Sequence, residues 1–184
     1  MIVKLGKAFL PSFCYVRSVL WEGEITLEYL TFWDIIGPIV KTEGFQYLKT
    51  IKHHRTTRYL HSIHVAYLVY KISKRLNLDY VSATRGAILH DFFIATKDKY
   101  RGIYTAHPRL ALLNAKQLFV VNAIEENIII SHMFPATLKL PLTKEAYLVN
   151  LTDKWCATLE FMTENPMYYL KEILSQESLA NIPS

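Results

Sequence analysis

Apolar residues recur at three- and four-residue intervals through most of this chain, which is the spacing of one face of an α-helix. No two segments of the sequence alternate convincingly in the manner of paired strands. The pattern therefore predicts an all-α fold, a single-domain helical bundle. In the clearest run, residues 57–76, the periodic apolar positions are Leu60, Val65, Leu68, Val69, Ile72 and Leu76.

Capping and stop residues divide the periodic sequence into helices. Asp79 is suited to cap a helix over 80–90, and Thr143 is suited to cap a long helix over 144–163. Proline fits the first turn of a helix, so Pro108 is expected to open another. The remaining predicted helices are Ile25–Ile36, stopped by Gly37 and Pro38, then Glu125–His132, and finally Met167–Leu174 after Pro166.

Length and composition bound the number of domains. The chain has 184 residues, of which 51% are hydrophobic and 20% charged, so it can bury a core of ordinary size. Residues 1–20 have no clear period. We expect residues 1–50 to form an N-terminal helical appendage and residues 51–184 to form the main domain with its C-terminal helices.

Charge and cysteine content narrow the function classes. Lys and Arg outnumber Asp and Glu by 21 to 16, and the formal net charge of +5 suits anionic small molecules. The sequence has no run of five or six like charges and no RRM, KH or zinc-finger signature, so nucleic acid is not an expected partner. Two cysteines, Cys14 and Cys156, are too few for a disulfide framework, and no apolar run is long enough to span a membrane. We expect a cytoplasmic protein, and its helix faces are compatible with a homodimer.

Six ionisable residues fall where the predicted helices would bury them. Burying such a group without a partner costs several kcal/mol, so buried ionisable groups are paired or bind metal. Imidazole and carboxylate ligands from facing helices of a bundle suit Fe, Mn, Zn or Co better than Mg or Ca. The six residues are His61, His90, Asp91, His107, His132 and Asp153.

This ordered set resembles the HD-domain metal-dependent phosphohydrolase superfamily. The family pattern is a histidine, then an adjacent His-Asp pair, and then a late aspartate, with further histidines between the pair and that aspartate in binuclear members. The resemblance covers roughly residues 53–160 and implies the helical HD-domain fold. The residues that carry it are Arg58–Ala66, Ala87–Asp91, His107 with Pro108, His132 and Thr152–Lys154.

The two additional histidines make the chain similar to binuclear members such as the symmetrical diadenosine tetraphosphate hydrolases. The resemblance implies two divalent transition metals bridged by Asp91, with iron the first choice and Mn, Zn or Co as alternatives. A hydroxide between the ions would attack a small phosphorylated substrate, a nucleotide or dinucleoside polyphosphate. The implied ligands of one ion are His61, His90 and Asp153, and those of the other are His107 and His132.

Besides Asp91, two cations are candidate catalytic residues. Arg58 lies one turn before His61, so its guanidinium could clamp a substrate phosphate, or it could lie in water or pair with an acid. Lys154 follows Asp153 directly and could reach the phosphate, or it could be solvated or serve a structural role.

Departures from the family pattern keep other functions open. The absence of a Gly-Tyr-Pro motif disfavours a cyclic-dinucleotide phosphodiesterase, and Ala95 occupies the place of a lysine that often follows the His-Asp pair. The alternatives are a non-catalytic metal- or ligand-binding regulatory module and, third, a di-iron oxygenase. We interpret His53, His54 and His64 as surface or supporting histidines.

Overall fold

The computed structural model describes residues 16–21, 24–94 and 103–162, with side chains over 30–94 and 105–162. This part of the chain has seven α-helices and two small antiparallel hairpins, so the all-α prediction is confirmed. The helices are α1 (Phe32–Val40), α2 (Glu43–Tyr47), α3 (Arg58–Arg75), α4 (Tyr80–Leu89), α5 (Ile103–Leu118), α6 (Ala123–Ser131) and α7 (Lys144–Met162). The strands are β1 (Val16–Trp21), β2 (Glu24–Tyr29), β3 (Lys52–His53) and β4 (Thr56–Thr57), and a short 3-10 helix spans Leu48–Thr50.

Helix α4 forms the centre of the bundle. Every residue of α4 except Arg85 is buried, and the helix packs against α1, α3, α6 and α7. A helix buried around its whole circumference belongs in the core. Because α4 ends at Leu89, the His90–Asp91 pair follows directly on a helix that is buried at nine of its ten residues. None of the described helices is long and apolar enough to cross a membrane.

Side-chain caps fix the starts of the long helices. Asp79 and Thr143 each accept a hydrogen bond from the amide three residues further on, at 3.0 and 3.1 Å, as predicted. Thr57 does the same at the start of α3, at 3.3 Å. Asn77, which follows the C-cap residue of α3, has a φ of 53°, the left-handed conformation that commonly ends helices. The predicted helices over 57–76, 80–90 and 144–163 are therefore confirmed to within a residue or two at either end.

The predicted helix over 25–36 is wrong in its first half. Residues 24–29 form strand β2, which pairs antiparallel with β1, and helix α1 begins only at Phe32. Alternation of Ile25 and Leu27 with polar neighbours was the available strand signal. The predicted stop at Gly37 and Pro38 is also wrong, because α1 continues through both residues to Val40.

Two other boundaries differ from the predictions. Helix α5 begins at Ile103, so Pro108 lies inside the helix instead of opening it. Helix α6 begins at Ala123, two residues ahead of the predicted start. Asn122 and Glu125 form the capping box that begins the helix there. The helix predicted over 167–174 lies outside the described residues. The division into 1–50 and 51–184 stays a prediction, and the side chains of α1 and α2 join the same core cluster as those of α3 and α4.

Helices α4 and α6 approach each other closely at Gly86. A Cβ atom added to Gly86 would lie 2.6 Å from Ile128 Cδ1 and 2.9 Å from Ile128 Cβ. Only glycine permits this distance, because atoms this close overlap. Gly86 is one turn before His90, and Ile128 is one turn before His132, so this crossing sets the separation of two predicted ligands.

Candidate metal centre

The six predicted ligands come together in two groups of three. Within each group, one nitrogen or oxygen atom per residue lies within 4.8 Å of the others. The groups are called here the first triad, which is His61, His90 and Asp153, and the second triad, which is Asp91, His107 and His132.

Five helices carry the six residues into a buried space. Five of the six are at most 8% exposed, and the side chain of Asp153 is 13% exposed. His61 is in the first turn of α3, His90 and Asp91 follow α4, His107 is in α5, His132 follows α6, and Asp153 is in α7.

Two of the histidines are held by the ends of their own helices. His90 Nδ1 lies 2.7 Å from the carbonyl oxygen of Ala87, and His132 Nδ1 lies 2.8 Å from that of Ile129. A carbonyl only accepts, so these bonds assign the proton to Nδ1 in both rings and leave a lone pair on Nε2. The carbonyl ends of α4 and α6 carry partial negative charge, which favours a cation beside them.

His61 is held from both sides by carboxylates of α7. Its Nδ1 lies 3.0 Å from both carboxylate oxygens of Glu160, and its Nε2 lies 3.0 Å from Asp153 Oδ1. The Nδ1–H group donates to Glu160. The remaining nitrogen then faces a carboxylate, an arrangement that requires positive charge at this position.

The donor atoms of the centre fit metal ions. His132 Nε2, which carries a lone pair, lies 2.9 Å from His107 Nε2. Among the described side chains, His90 Nε2 and Asp91 Oδ1 are buried atoms without a hydrogen-bond partner. Histidines that ligate metals usually donate their other N–H to a carbonyl or carboxylate, as His61, His90 and His132 do. These residues could therefore hold transition-metal cations.

Electrostatics differ between the two triads. Burial alone would lower the pKa of His61, but hydrogen bonds to Asp153 and Glu160 outweigh burial and raise its pKa to about 10. For His132, burial dominates and lowers the pKa to about 4. The first triad therefore attracts positive charge at neutral pH, as a proton or as a cation, whereas His132 stays neutral.

Asp91 faces both triads. Its Oδ1 lies 3.3 Å from His107 Nε2 and 3.6 Å from His132 Nε2, and its Oδ2 lies 4.0 Å from His90 Nε2. Burial would raise the pKa of Asp91, but the surrounding histidines, His90 first, outweigh burial and hold its pKa far below the usual value. Asp91 is thus an ionised carboxylate between the two groups of nitrogen ligands.

Arg58 is a buried partner of Asp91. Its Nε lies 3.9 Å from Asp91 Oδ2, its Nη1 donates to the carbonyl of Phe93 at 2.6 Å, and its guanidinium covers the Phe93 ring at 3.6 Å. The predicted alternatives were a phosphate clamp, an arginine in water and a pairing with an acid. The geometry matches the pairing, since Arg58 is only 6% exposed.

Lys154 lies against the backbone that carries His132. Its ammonium group donates to the carbonyl oxygens of His132 and Asn150, at 3.1 and 3.2 Å. The Asn150 amide also donates to the carbonyl of His132, at 2.7 Å. Two residues of α7 therefore anchor the end of α6 beside the second triad.

The sequence interpretation missed Glu160 and undervalued His53. Glu160 is 1% exposed, but a glutamate inside a helix gives no sign of whether it faces water or the core. His53, on the β3–β4 hairpin, packs its ring 4.4 Å from that of His61 and points Nδ1 at Asp91 Oδ2 from 3.8 Å. His53, His61 and Asp91 form a third group whose ligand atoms lie within 4.8 Å.

Comparison with known proteins gives one match. The profile of the HD domain family matches residues 58–158, more than half of the chain and the segment that carries all six predicted ligands. The chain belongs to the HD domain family, whose members bind divalent metals and are generally metal-dependent hydrolases. No curated protein and no solved structure matches the chain.

Proposed function

We propose that this protein is a phosphohydrolase that uses two divalent cations, iron first, to hydrolyse a small phosphorylated molecule such as a nucleotide or dinucleoside polyphosphate. The single observation that supports two ions is the position of Asp91. One of its oxygens faces the nitrogens of the second triad, and the other faces His90 of the first triad. A carboxylate placed in this way can bridge two cations.

Such ions, when bound, supply Lewis acidity, a water activated near neutral pH, and positive charge for a phosphate. The chain's own part is to fix the ligands and to set the net charge. Asp91 and Asp153 together neutralise half the charge of two divalent cations, and the ligating histidines are neutral. The centre would remain cationic and would attract an anionic substrate.

We assign different roles to the two candidate cations. Arg58 orients the Asp91 carboxylate, because it is buried and fixed to the Phe93 carbonyl. Lys154 uses two of its three N–H groups on backbone carbonyls, so a third remains to contact a substrate phosphate. The homodimer and the nucleotide specificity stay predictions from the sequence.

The test compares wild type with Asp91→Asn and with a matched control, Asp34→Asn. Asp34 is an exposed carboxylate of the α1 capping box, far in sequence from the ligands. Each protein, purified without oxygen, is analysed for metal and assayed on phosphomonoesters, phosphodiesters and dinucleoside polyphosphates. We expect about two equivalents of bound metal, together with turnover, in wild type and in the control. Asp91→Asn should lose both the metal and the turnover.

Three outcomes would overturn the proposal. Equal turnover in wild type and Asp91→Asn would place the chemistry elsewhere. Bound metal without turnover on any of the three substrate classes would favour the regulatory module. Product formation that requires O₂ would favour the di-iron oxygenase.

A further inference from the structure

Glu160 and Asp153 hold the ring of His61 between them. They are seven residues apart on α7, two helical turns, so they lie on the same face of that helix. Asp153 meets Nε2 and Glu160 meets Nδ1, each at 3.0 Å. Glu160 also faces His64 Nδ1 at 3.6 Å, and it is almost completely buried.

No comparable charge lies behind the other two ring nitrogens whose outer contacts are known. The Nδ1–H groups of His90 and His132 donate to the neutral carbonyls of Ala87 and Ile129. The first triad thus has one carboxylate among its ligands, Asp153, and a second carboxylate one imidazole away. Among the three members of the second triad, Asp91 is the one carboxylate, and the first triad shares it.

A carboxylate behind a ligating histidine changes metal affinity in two ways. Its hydrogen bond fixes the tautomer and orientation of the ring, and its charge makes the inward nitrogen a stronger donor. The added negative charge also attracts a cation in the buried centre, where it is little screened.

We propose that Glu160 is a positioning residue that makes the first triad the tighter of two metal positions, so that the two ions bind in a fixed order. This inference rests on the proposed two-ion site. If the first triad binds its ion more tightly, the second triad is the metal position that exchanges its ion first.

The test is a titration of the metal-free, full-length protein with Co²⁺, followed by visible absorption and by competition with a chelator. Wild type should show two resolved steps. Glu160→Gln keeps an acceptor oxygen for His61 but removes the charge, and it should weaken the first step by about 10- to 100-fold, the usual cost of losing such a support. Glu160→Ala should weaken it further, and neither change should move the second step.

Two further variants assign the steps. His107→Gln should abolish the second step and leave the first at its wild-type affinity. Glu126→Gln is the control, because Glu126 is a half-exposed glutamate paired with Lys116 on the surface. It should reproduce wild type.

The inference is overturned if Glu160→Gln leaves the first step unchanged or weakens only the second. It is also overturned if the step that survives in His107→Gln is the weaker one, a result that does not depend on whether Glu160 variants fold. A single equivalent in wild type would overturn both this order and the two-ion site. Two ordered steps without phosphate hydrolysis would instead reject the proposed function and leave the inference standing.

Discussion

The histidines of the centre are oriented in two different ways. His90 and His132 are oriented by carbonyls of their own last helical turns, three residues back in the chain. His61 is oriented by Glu160, ninety-nine residues further along the chain. Formation of α4 and α6 therefore suffices to orient the rings of His90 and His132. The ring of His61 acquires its partner only when α7 packs against α3.

The two kinds of support differ in the charge that they add to the metal centre, although both orient a histidine ring. Backbone carbonyls orient a ligand at low electrostatic cost, but they add only the partial charge of a helix end. A buried carboxylate adds a full charge, and it is stable only while a proton or a metal ion compensates it. The first triad is accordingly the part of the centre in which folding, metal binding and protonation are coupled.

The largest expected effect comes from removing a ligand from each triad in turn. We expect Asp153→Ala and His107→Ala each to lower turnover by about 10³-fold, because each leaves a site short of the charge or geometry that stabilises the transition state. The two variants should differ in retained metal. His107→Ala should keep the tighter ion and its thermal stabilisation, and Asp153→Ala should lose it. Metal analysis and thermal unfolding of the same preparations measure the difference, and equal retention would remove the distinction between the triads.

A smaller effect is expected where α4 crosses α6. Gly86→Ala should destabilise the protein by about 1–3 kcal/mol, because the new methyl group would overlap Ile128. The shift of α6 should also move His132 away from Asp91 and weaken the second metal step more than the first. Denaturant unfolding and the Co²⁺ titration measure both effects.

Two comparisons check that overlap is the cause. Gly37→Ala serves as the matched control, since a Cβ there meets no atom within 4 Å, and it should not destabilise. Adding Ile128→Ala to Gly86→Ala should restore the second metal step by making room. If the second metal step of the double variant is as weak as that of Gly86→Ala alone, Gly86 acts in some other way than by avoiding overlap with Ile128.

The sequence predicted what depends on local rules. Helical spacing and caps such as Asp79 located the long helices, because both signals lie within one or two turns. The six predicted ligands were selected because ionisable residues in apolar stretches require compensation and because their order resembles the HD-domain pattern. The structure brings them together in two groups of three.

The sequence did not predict what depends on the tertiary fold. Glu160 looks like any helical glutamate until α7 docks on α3 and brings it to His61. The β1–β2 hairpin was misread because a six-residue alternating strand, Glu24–Tyr29, precedes α1 with only two residues between them, so the apolar positions merge into one helical pattern. Pro108 misled for a related reason, since proline marks a helix start only on average.

The smallest effect is a pH dependence of stability that has opposite signs for the two triads in the metal-free protein. The pKa of His61 is raised to about 10, so between about pH 6.5 and 10 the folded chain keeps a proton that the unfolded chain releases. Stability should fall as the pH rises through this window. The pKa of His132 is lowered to about 4, so below pH 6.5 the unfolded chain takes up a proton first, and stability should fall as the pH drops towards 4.

Two variants distinguish the alkaline slope of stability against pH from the acidic slope. Both slopes are measured by thermal unfolding of chelator-treated protein at a series of pH values. Glu160→Gln should flatten the alkaline slope, because it removes one of the carboxylates that raise the pKa of His61. It should leave the slope between about pH 6.5 and 5 intact, because the pKa of Glu160 itself is lowered from 4.5 to about 2 and affects stability only at more acidic pH. His132→Gln should do the reverse. Asp153 still acts on His61 in Glu160→Gln, so the alkaline slope should shrink and not vanish. An alkaline slope identical to wild type in Glu160→Gln would mean that the carboxylate behind His61 does not control its proton, and the electrostatic contrast between the triads would then rest on Asp153 alone.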